Sequence, residues 1–226
     1  MLHKLKIDFV SDIACPWCVI GLVGLEKALD SLKGEIEADI TFHPFELNPD
    51  MPAGGENGLE HIATKYGMSP DQVRENRARI RDRAADIGFT MNTSDSSRVY
   101  NTFDAHRLIA WAGEKGRQLE MKRQLFTLYF TNQQDTGNRD ALASAAEEAG
   151  LDGAEAREML ASDRYANQVR AEEMLWRQRG INSVPAVVVG DRYLISGGQP
   201  PEEFARQLRE ISAKLLDEQG LATAGI

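Results

Sequence analysis

The sequence predicts an α/β fold that is interrupted by a large all-helical insertion. Three observations support this fold class: strand and helix patterns alternate near the start of the chain, the patterns from about residue 55 to 180 are almost all helical, and strand patterns return after residue 180. A chain of 226 residues is long enough for a substantial core. We therefore expect one domain formed by residues 1–54 and 181–226, with residues 55–180 forming a helical insertion domain.

The first three elements are predicted to be a strand, a helix and a second strand. Residues 5–10 are mostly apolar, as in a short buried strand, and residues 36–43 alternate apolar and polar side chains, as in a strand with one exposed face. A strand, a helix and a strand in so few residues indicate a right-handed crossover between two parallel strands. The helix between them is indicated by apolar side chains at helical spacing, namely Cys18, Leu22, Leu25, Leu29 and Leu32.

The insertion is predicted to begin at the turn-rich segment PDMPAGGENG and to consist of helices. The first helix starts after Ser69, a good N-terminal cap that is followed by Pro70, and stops at Gly88. Further amphipathic helices are predicted at about residues 98–115, 118–132, 139–149, 154–161 and 163–179.

The last part of the chain is predicted to return to the sheet. Residues 186–189 are a compact β-branched run, residues 190–191 are a Gly-Asp turn, and residues 192–195 form the next strand, which indicates an antiparallel hairpin. The Pro-Pro pair at residues 200–201 can open a final helix that packs on the same sheet. The terminal GLATAGI segment carries no strong pattern, and we expect it to fray.

Charge and composition argue against some partners and compartments. The chain has 26 Lys and Arg residues against 35 Asp and Glu residues, and its formal net charge of -9 opposes binding to nucleic acid. The opening residues, MLHKLKIDFVSD, lack the continuous apolar segment and the small-residue cleavage site of a secretory signal, and no later stretch is long enough to span a membrane. We therefore expect a cytoplasmic protein, and the sequence leaves its oligomeric state open.

The most informative motif is CPWC, which contains the only two cysteines of the chain. It lies where the first strand gives way to the helix, so Cys15 is expected at the helix N-terminus. Unpaired amide donors and the partial positive charge of a helix start favour thiolate over thiol, which predicts that Cys15 is the attacking nucleophile. Pro16 suits the first helical position, and Cys18, one turn further on, is predicted to be the shielded resolving thiol.

The residues alone leave two other interpretations of the cysteines open. They could be two small apolar residues near a helix start, although a lone CxxC in the cytoplasm is usually catalytic, redox-sensing or metal-binding. They could also bind zinc, which usually takes four ligands in structural sites. No second cysteine pair exists, so histidines would have to complete that set, and we expect no bound metal.

Four segments of the chain resemble one known family. In chain order they are SDIACPWCVIGLVGLEKAL, FHPFELNPDMP, NTFDAHRL and GINSVPAVVVGDRYLISGGQPPEEF. Together they closely resemble the FrnE-type branch of the DsbA-like oxidoreductases, which is related to 2-hydroxychromene-2-carboxylate isomerases and kappa-class glutathione transferases. The resemblance runs nearly end to end, and it implies a thioredoxin fold with a large all-helical insertion domain.

The resemblance also implies substrate-binding residues outside the CPWC motif. In thioredoxin-like proteins the proline that matches Pro185 is cis and faces the CxxC pair, so the backbone of Val184 is expected to pair with an extended substrate. Asn101, Thr102 and His106 match a family motif near the end of the insertion's long helix, and we expect them to line the cleft above the thiols. His106 could donate to a bound carboxylate or satisfy a neighbouring carbonyl in the core.

The two residues between the cysteines are further candidates for substrate binding. The Trp17 indole would offer an apolar contact, and Pro16 lies beside it. The Pro-Trp pair lacks the cationic imidazole of the Pro-His pair of DsbA, which could stabilise a neighbouring thiolate. We therefore predict weaker oxidising power than that of DsbA.

The predicted activity is enzymatic thiol–disulfide exchange on disulfide-containing proteins or small thiols. We expect no tightly bound cofactor, with glutathione as a candidate redox co-substrate. One alternative is a glutathione-dependent isomerase or transferase acting on an aromatic small molecule, although that branch typically has a serine at the position of Cys15. The other alternative is a non-enzymatic redox switch, in which the disulfide changes the packing of the helical domain.

Overall fold

The computed structural model describes residues 3–224, and the side chains of residues 3–218. The strands are β1 (His3–Ser11), β2 (Ile36–Pro44), β3 (Glu56–Asn57), β4 (Arg98–Val99), β5 (Ala186–Val189) and β6 (Tyr193–Ser196). The helices are α1 (Pro16–Ser31), α2 (Gly58–Tyr66), α3 (Pro70–Asp86), α4 (Phe103–Glu114), α5 (Gln118–Phe126), α6 (Arg139–Glu148), α7 (Gly153–Ala161), α8 (Ala166–Gln178) and α9 (Pro201–Ala224).

The main sheet combines strands from both ends of the chain in the order β2-β1-β5-β6. Strands β1 and β2 are parallel, whereas β5 is antiparallel to both β1 and β6. The parallel pair and the C-terminal hairpin are therefore as the sequence predicts. Because β1 is an inner strand that ends at Ser11, the CPWC segment follows the carboxyl end of a central strand, where functional sites of α/β sheets are favoured.

One apolar core extends from the sheet into the helices that are inserted between β2 and β5. It includes Phe9 of β1 and Leu25 of α1, together with Trp111 of α4 and Leu125 of α5. The architecture is the α/β fold with a helical insertion that the sequence predicts. Within residues 3–224, no helix combines the length and the apolar character needed to cross a membrane.

The predicted helix starts differ from the structure in two places. The helix predicted at residues 98–115 begins only at Phe103, because Arg98 and Val99 instead form β4, which pairs with β3 in a small antiparallel ladder. The helix predicted at residues 163–179 begins at Ala166, because Tyr165 takes a left-handed conformation with φ 64°. Helix α2, together with β3, was not predicted.

Other helix ends are set by recognisable local chemistry. Ser69 accepts a hydrogen bond from the Gln72 amide, and the Gln72 side chain accepts from the Ser69 amide, which forms a capping box at the predicted start of α3. Helix α5 continues as a π-helical turn over Thr127–Thr131. Helix α9 runs to Ala224, so most of the GLATAGI segment is helical, and residues 225–226 lie outside those described.

Candidate active site

Cys15 occupies the position that the sequence predicts, immediately before the first turn of α1. Its backbone is extended, with φ -93° and ψ 111°, and Pro16 is the first helical residue. The Cys15 amide donates to the Asp12 carbonyl at 3.3 Å, and the Cys18 amide donates to the Cys15 carbonyl at 3.0 Å. The Cys15 side chain therefore projects from the end of the helix at which amide hydrogens and positive dipole charge accumulate.

The two cysteines have unequal environments. Both are free thiols, with 4% of Cys15 and 0% of Cys18 accessible to solvent. Burial raises the pKa of the Cys18 thiol well above its usual value, and the nearby Cys15 raises it further. Cys15 lines a cavity, as described below, so it is the thiol that an incoming disulfide would meet first.

The segment that precedes β5 lies directly beside Cys15. The Cys15 thiol donates to the Val184 carbonyl with a sulfur–oxygen distance of 3.6 Å, and the Val184–Pro185 peptide bond is cis, as the family resemblance implied. Pro185 is buried against α1 at Gly21, where an added Cβ would lie 3.1 Å from Pro185 Cγ. Glycine at this position therefore allows the close approach of the two segments.

A cavity of about 450 Å³ opens above Cys15. Pro16, Trp17 and Val184 line it close to the thiol, and the Trp17 side chain is 40% exposed. Lys65, Arg77 and Arg98 add positive charge to its wall. The far wall is mainly apolar and comes from the helical insertion, through Ile62, Tyr66, Met68, Val73, Ile80 and Tyr129.

Asp12, which sequence reasoning missed, is the buried acceptor below the CPWC turn. Its Oδ1 accepts from the Ala14 amide at 3.2 Å, and its Oδ2 accepts from the Leu47 amide at 2.7 Å. Burial alone would raise the pKa of this carboxyl, but His106, the Leu47 amide and Thr102 outweigh burial and hold the pKa below its usual value. Its place three residues before Cys15 was the signal available in the sequence.

Asn101, Thr102 and His106 are not among the residues that line the Cys15 cavity, which corrects the expectation from the sequence. They lie at the start of α4, and Asn101 accepts from the Phe103 amide at 2.9 Å. Thr102 and His106 are buried, and His106 Nε2 is 3.4 Å from Asp12 Oδ1. The Thr102 and His106 side chains therefore lie beside the Asp12 carboxylate.

Lys122 is a second residue that sequence reasoning missed. It is fully buried on α5, and burial lowers its pKa to about 8, against the opposing effects of Cys18, Asp12 and Cys15. The available signal was its spacing, which places it on the same apolar face as Leu125.

A second buried charged cluster adjoins the site. The Glu46 carboxylate accepts from Arg170, which also donates to Glu173 at 2.9 Å. Burial and the charge of Glu173 raise the pKa of Glu46 to about 7. Among residues 3–224, no group of three or more His, Cys, Asp or Glu side chains is arranged to hold a metal ion.

Comparison with known proteins gives a family match and a similar solved structure. A family profile described as DSBA-like thioredoxin domain matches residues 6–209. A probable DsbA oxidoreductase from Streptomyces coelicolor has 33% sequence identity and a TM-score of 0.82, over 91% of this chain and 89% of that chain.

Two more distant structures share the fold. A 2-hydroxychromene-2-carboxylate isomerase has 14% identity and a TM-score of 0.69, over 95% of this chain and 98% of that chain. The cytosolic disulfide reductase DsbM from Pseudomonas aeruginosa, solved with glutathione, has 17% identity and a TM-score of 0.62, over 91% of this chain and 98% of that chain. At such identities the similarity shows the fold alone.

Proposed function

Because this chain belongs to the family of DsbA-like thioredoxin domains, we propose that it is a thiol–disulfide oxidoreductase whose CPWC segment is the redox pair. The unequal placement of the two thiols carries the proposal. Cys15 borders a cavity at the start of α1, whereas Cys18 is fully buried within the first turn. Cys15 is therefore assigned as the nucleophile and Cys18 as the resolving thiol.

The exchange cycle starts from the reduced enzyme. The Cys15 thiolate attacks one sulfur of a substrate disulfide, which releases the other sulfur as a thiolate and leaves a mixed disulfide. Cys18 then loses its proton and attacks Cys15 Sγ, so that the Cys15–Cys18 disulfide forms and the second substrate sulfur leaves. The substrate gains the two electrons that the cysteines lose, and the reverse sequence oxidises a dithiol.

The walls of the cavity support disulfide-containing proteins and small thiols as substrates. An extended segment would pair with the backbone at Val184, next to Pro185, which would place its sulfur beside Cys15. Trp17 and Pro16 would contact apolar groups of that segment. In this assignment Thr102 and His106 position Asp12, Asn101 accepts from the Phe103 amide at the start of α4, and none of the three binds substrate.

Glutathione is the proposed redox co-substrate. Its two carboxylates match the positive charge that Lys65, Arg77 and Arg98 bring to the same cavity as Cys15. The glutathione complex of DsbM, described as a cytosolic disulfide reductase, supports this assignment. We assign the enzyme to the cytoplasm, where glutathione would be its reductant. We also propose that it is a weaker oxidant than DsbA, and that residues 55–180 form the insertion domain that covers the cavity.

Turnover of insulin disulfides with glutathione as the reductant tests this function. The wild-type protein should catalyse many turnovers, the Cys15→Ser variant should show none, and the Cys18→Ser variant should accumulate a mixed disulfide that mass spectrometry detects at Cys15. Retained turnover in the Cys15→Ser variant would refute the assigned nucleophile. Absence of turnover in the wild-type protein would refute the function.

The apolar far wall of the cavity favours one second candidate, a glutathione-dependent isomerase acting on an aromatic small molecule. The shared fold with a 2-hydroxychromene-2-carboxylate isomerase adds support. Isomerisation of an aromatic substrate with glutathione that persists in the Cys18→Ser variant would favour this candidate. A requirement for both cysteines would favour disulfide exchange, because an isomerase needs no resolving thiol.

A further inference from the structure

Lys122 is buried on α5, and the exchange cycle described above gives it no role. Its side chain is fully buried, and Nζ has no hydrogen-bonding partner within the described part of the chain. The Phe126 ring lies below the amine, with its centroid 5.2 Å from Nζ. Burying an amine without a partner is costly, and a position that served packing alone would be better filled by methionine or leucine.

A second cavity, of about 380 Å³, reaches Lys122 and shares no lining residue with the cavity above Cys15. Strand β2 and helices α4, α5 and α8 form its wall. The charged and titratable groups that share it with Lys122 are His43, His106, Glu114 and Glu172. His106, which also lines this cavity, lies with Nε2 3.4 Å from Asp12 Oδ1, so the cavity at Lys122 borders the residues that pack behind the CPWC turn.

The other charges that act on Lys122 belong to the redox site. They are those of Cys18, Asp12 and Cys15, and each favours the protonated amine. In return, Lys122 is the cation that acts on Cys18, and it lowers the pKa of this thiol although burial outweighs the effect. A positive charge at Lys122 and a thiolate at Cys18 therefore stabilise each other in a region that water does not screen.

We propose that Lys122 is a positioning residue of the redox cycle, whose ammonium group supplies the buried positive charge against which the Cys18 thiolate forms. This inference rests on the proposed function. In the mixed disulfide Cys15 carries no charge, so the resolving step requires Cys18 to ionise inside the core. Cys18 gives up its proton to the solvent, Cys18 Sγ bonds to Cys15 Sγ, the bond between Cys15 and the substrate sulfur breaks, and that sulfur leaves as a thiolate.

Stopped-flow reaction with Ellman's reagent, an aromatic disulfide, separates the two steps. Attack by Cys15 releases the first coloured thiolate at a rate that depends on reagent concentration, and attack by Cys18 releases the second at a rate that does not. In the Lys122→Met variant the second release should slow by about tenfold at pH 7, and its pH profile should move upward by about one unit. The first release should change less.

Two controls separate this role from a structural one. The Lys27→Met variant removes an exposed lysine from α1 and should leave both releases unchanged. The Lys122→Gln variant provides a second neutral side chain if methionine does not fold. The Lys122→Met variant should also unfold at the same temperature as the wild-type protein or at a higher one, because it removes an unpartnered buried amine.

The outcomes distinguish failure of this inference from failure of the proposed exchange function on which it rests. An unchanged second release in both neutral variants, or equal slowing of both releases with loss of thermal stability, would overturn the role of Lys122 and leave the exchange function in place. Absence of a second release from the wild-type protein would refute the exchange function, and the role of Lys122 with it.

Discussion

Cys15 Sγ lies 3.6 Å from the carbonyl oxygen of Val184, although 169 positions separate the two residues in the chain. The sheet register explains the distance, because Ala186 at the start of β5 pairs with Val10 near the end of β1. The segment before β5 is thereby held beside the segment after β1. The thiol and a backbone acceptor for an extended chain consequently share one edge of the sheet.

Replacing Trp17 with alanine should impair recognition of a polypeptide disulfide more than thiol chemistry. The indole lines the cavity beside Cys15 and is 40% exposed, so its removal takes away apolar contact area without opening the core. We expect kcat/KM for a disulfide-containing peptide to fall by about tenfold, which corresponds to about 1.4 kcal/mol. The rate of Cys15 alkylation by iodoacetamide should change by less than about twofold.

Leu194→Ala is the matched control for this variant. Leu194 is also a large exposed apolar residue, but it lies on β6 and does not line the cavity. An equal loss of kcat/KM in the Trp17 and Leu194 variants would contradict a specific role for Trp17.

Asp12→Asn should destabilise the protein by about 3 kcal/mol at pH 7, because an amide donor replaces one of the two buried carboxylate oxygens that accept from the Ala14 and Leu47 amides. Urea unfolding measures this change. The folded-state pKa of Asp12 is lowered, so its stabilising effect is complete at neutral pH and is lost as the pH falls below about 4 towards the folded pKa. The difference between variant and wild type should therefore shrink in acid.

Asp95→Asn provides the exposed comparison. Asp95 accepts from Arg74 at 2.9 Å, with about half of each side chain exposed, so this change should cost less than about 1 kcal/mol. Similar losses in the two variants would show that Asp12 contributes no more than a surface ion pair.

Glu46→Gln should make stability less dependent on pH. The pKa of Glu46 is raised to about 7 by burial and by Glu173, so the folded protein holds a proton there that the unfolded chain releases above about pH 4.5. This group therefore reduces stability as the pH rises from about 4.5 through 7. Between pH 5 and pH 8, we expect the free energy of unfolding of the wild type to fall by at least about 1 kcal/mol more than that of the variant.

Urea unfolding at both pH values tests this prediction, with Glu210→Gln on the exposed surface of α9 as the control. Parallel pH dependence of the wild type and the Glu46→Gln variant would contradict it.

The sequence predicted the elements whose residues carry their own local signals. Alternating side chains in β2, the capping residue Ser69 and the Gly-Asp turn between β5 and β6 each specify structure within a few positions. One of the two errors in helix starts arose where distant pairing overrides local preference. Arg98 and Val99 read as helix, but they pair with residues more than forty positions earlier in β3.

The candidate site was predictable only in part, for the same reason. The CPWC motif carries its chemistry in four adjacent residues, so its place at the start of α1 followed directly from the sequence. The surroundings of Asp12 combine groups from distant segments, including Leu47 and His106. The spacing of Lys122 places it on the apolar face of α5, but a lysine in an amphipathic helix usually reaches water, so the sequence does not indicate that this one is fully buried.

The rates at which iodoacetamide alkylates each cysteine of the native reduced protein, resolved by mass spectrometry, test the central assignment most directly. If Cys15 is the nucleophile at the helix start and Cys18 the buried resolving thiol, Cys15 should react at least about tenfold faster than Cys18 at pH 7. Equal rates, or faster reaction at Cys18, would contradict the assignment.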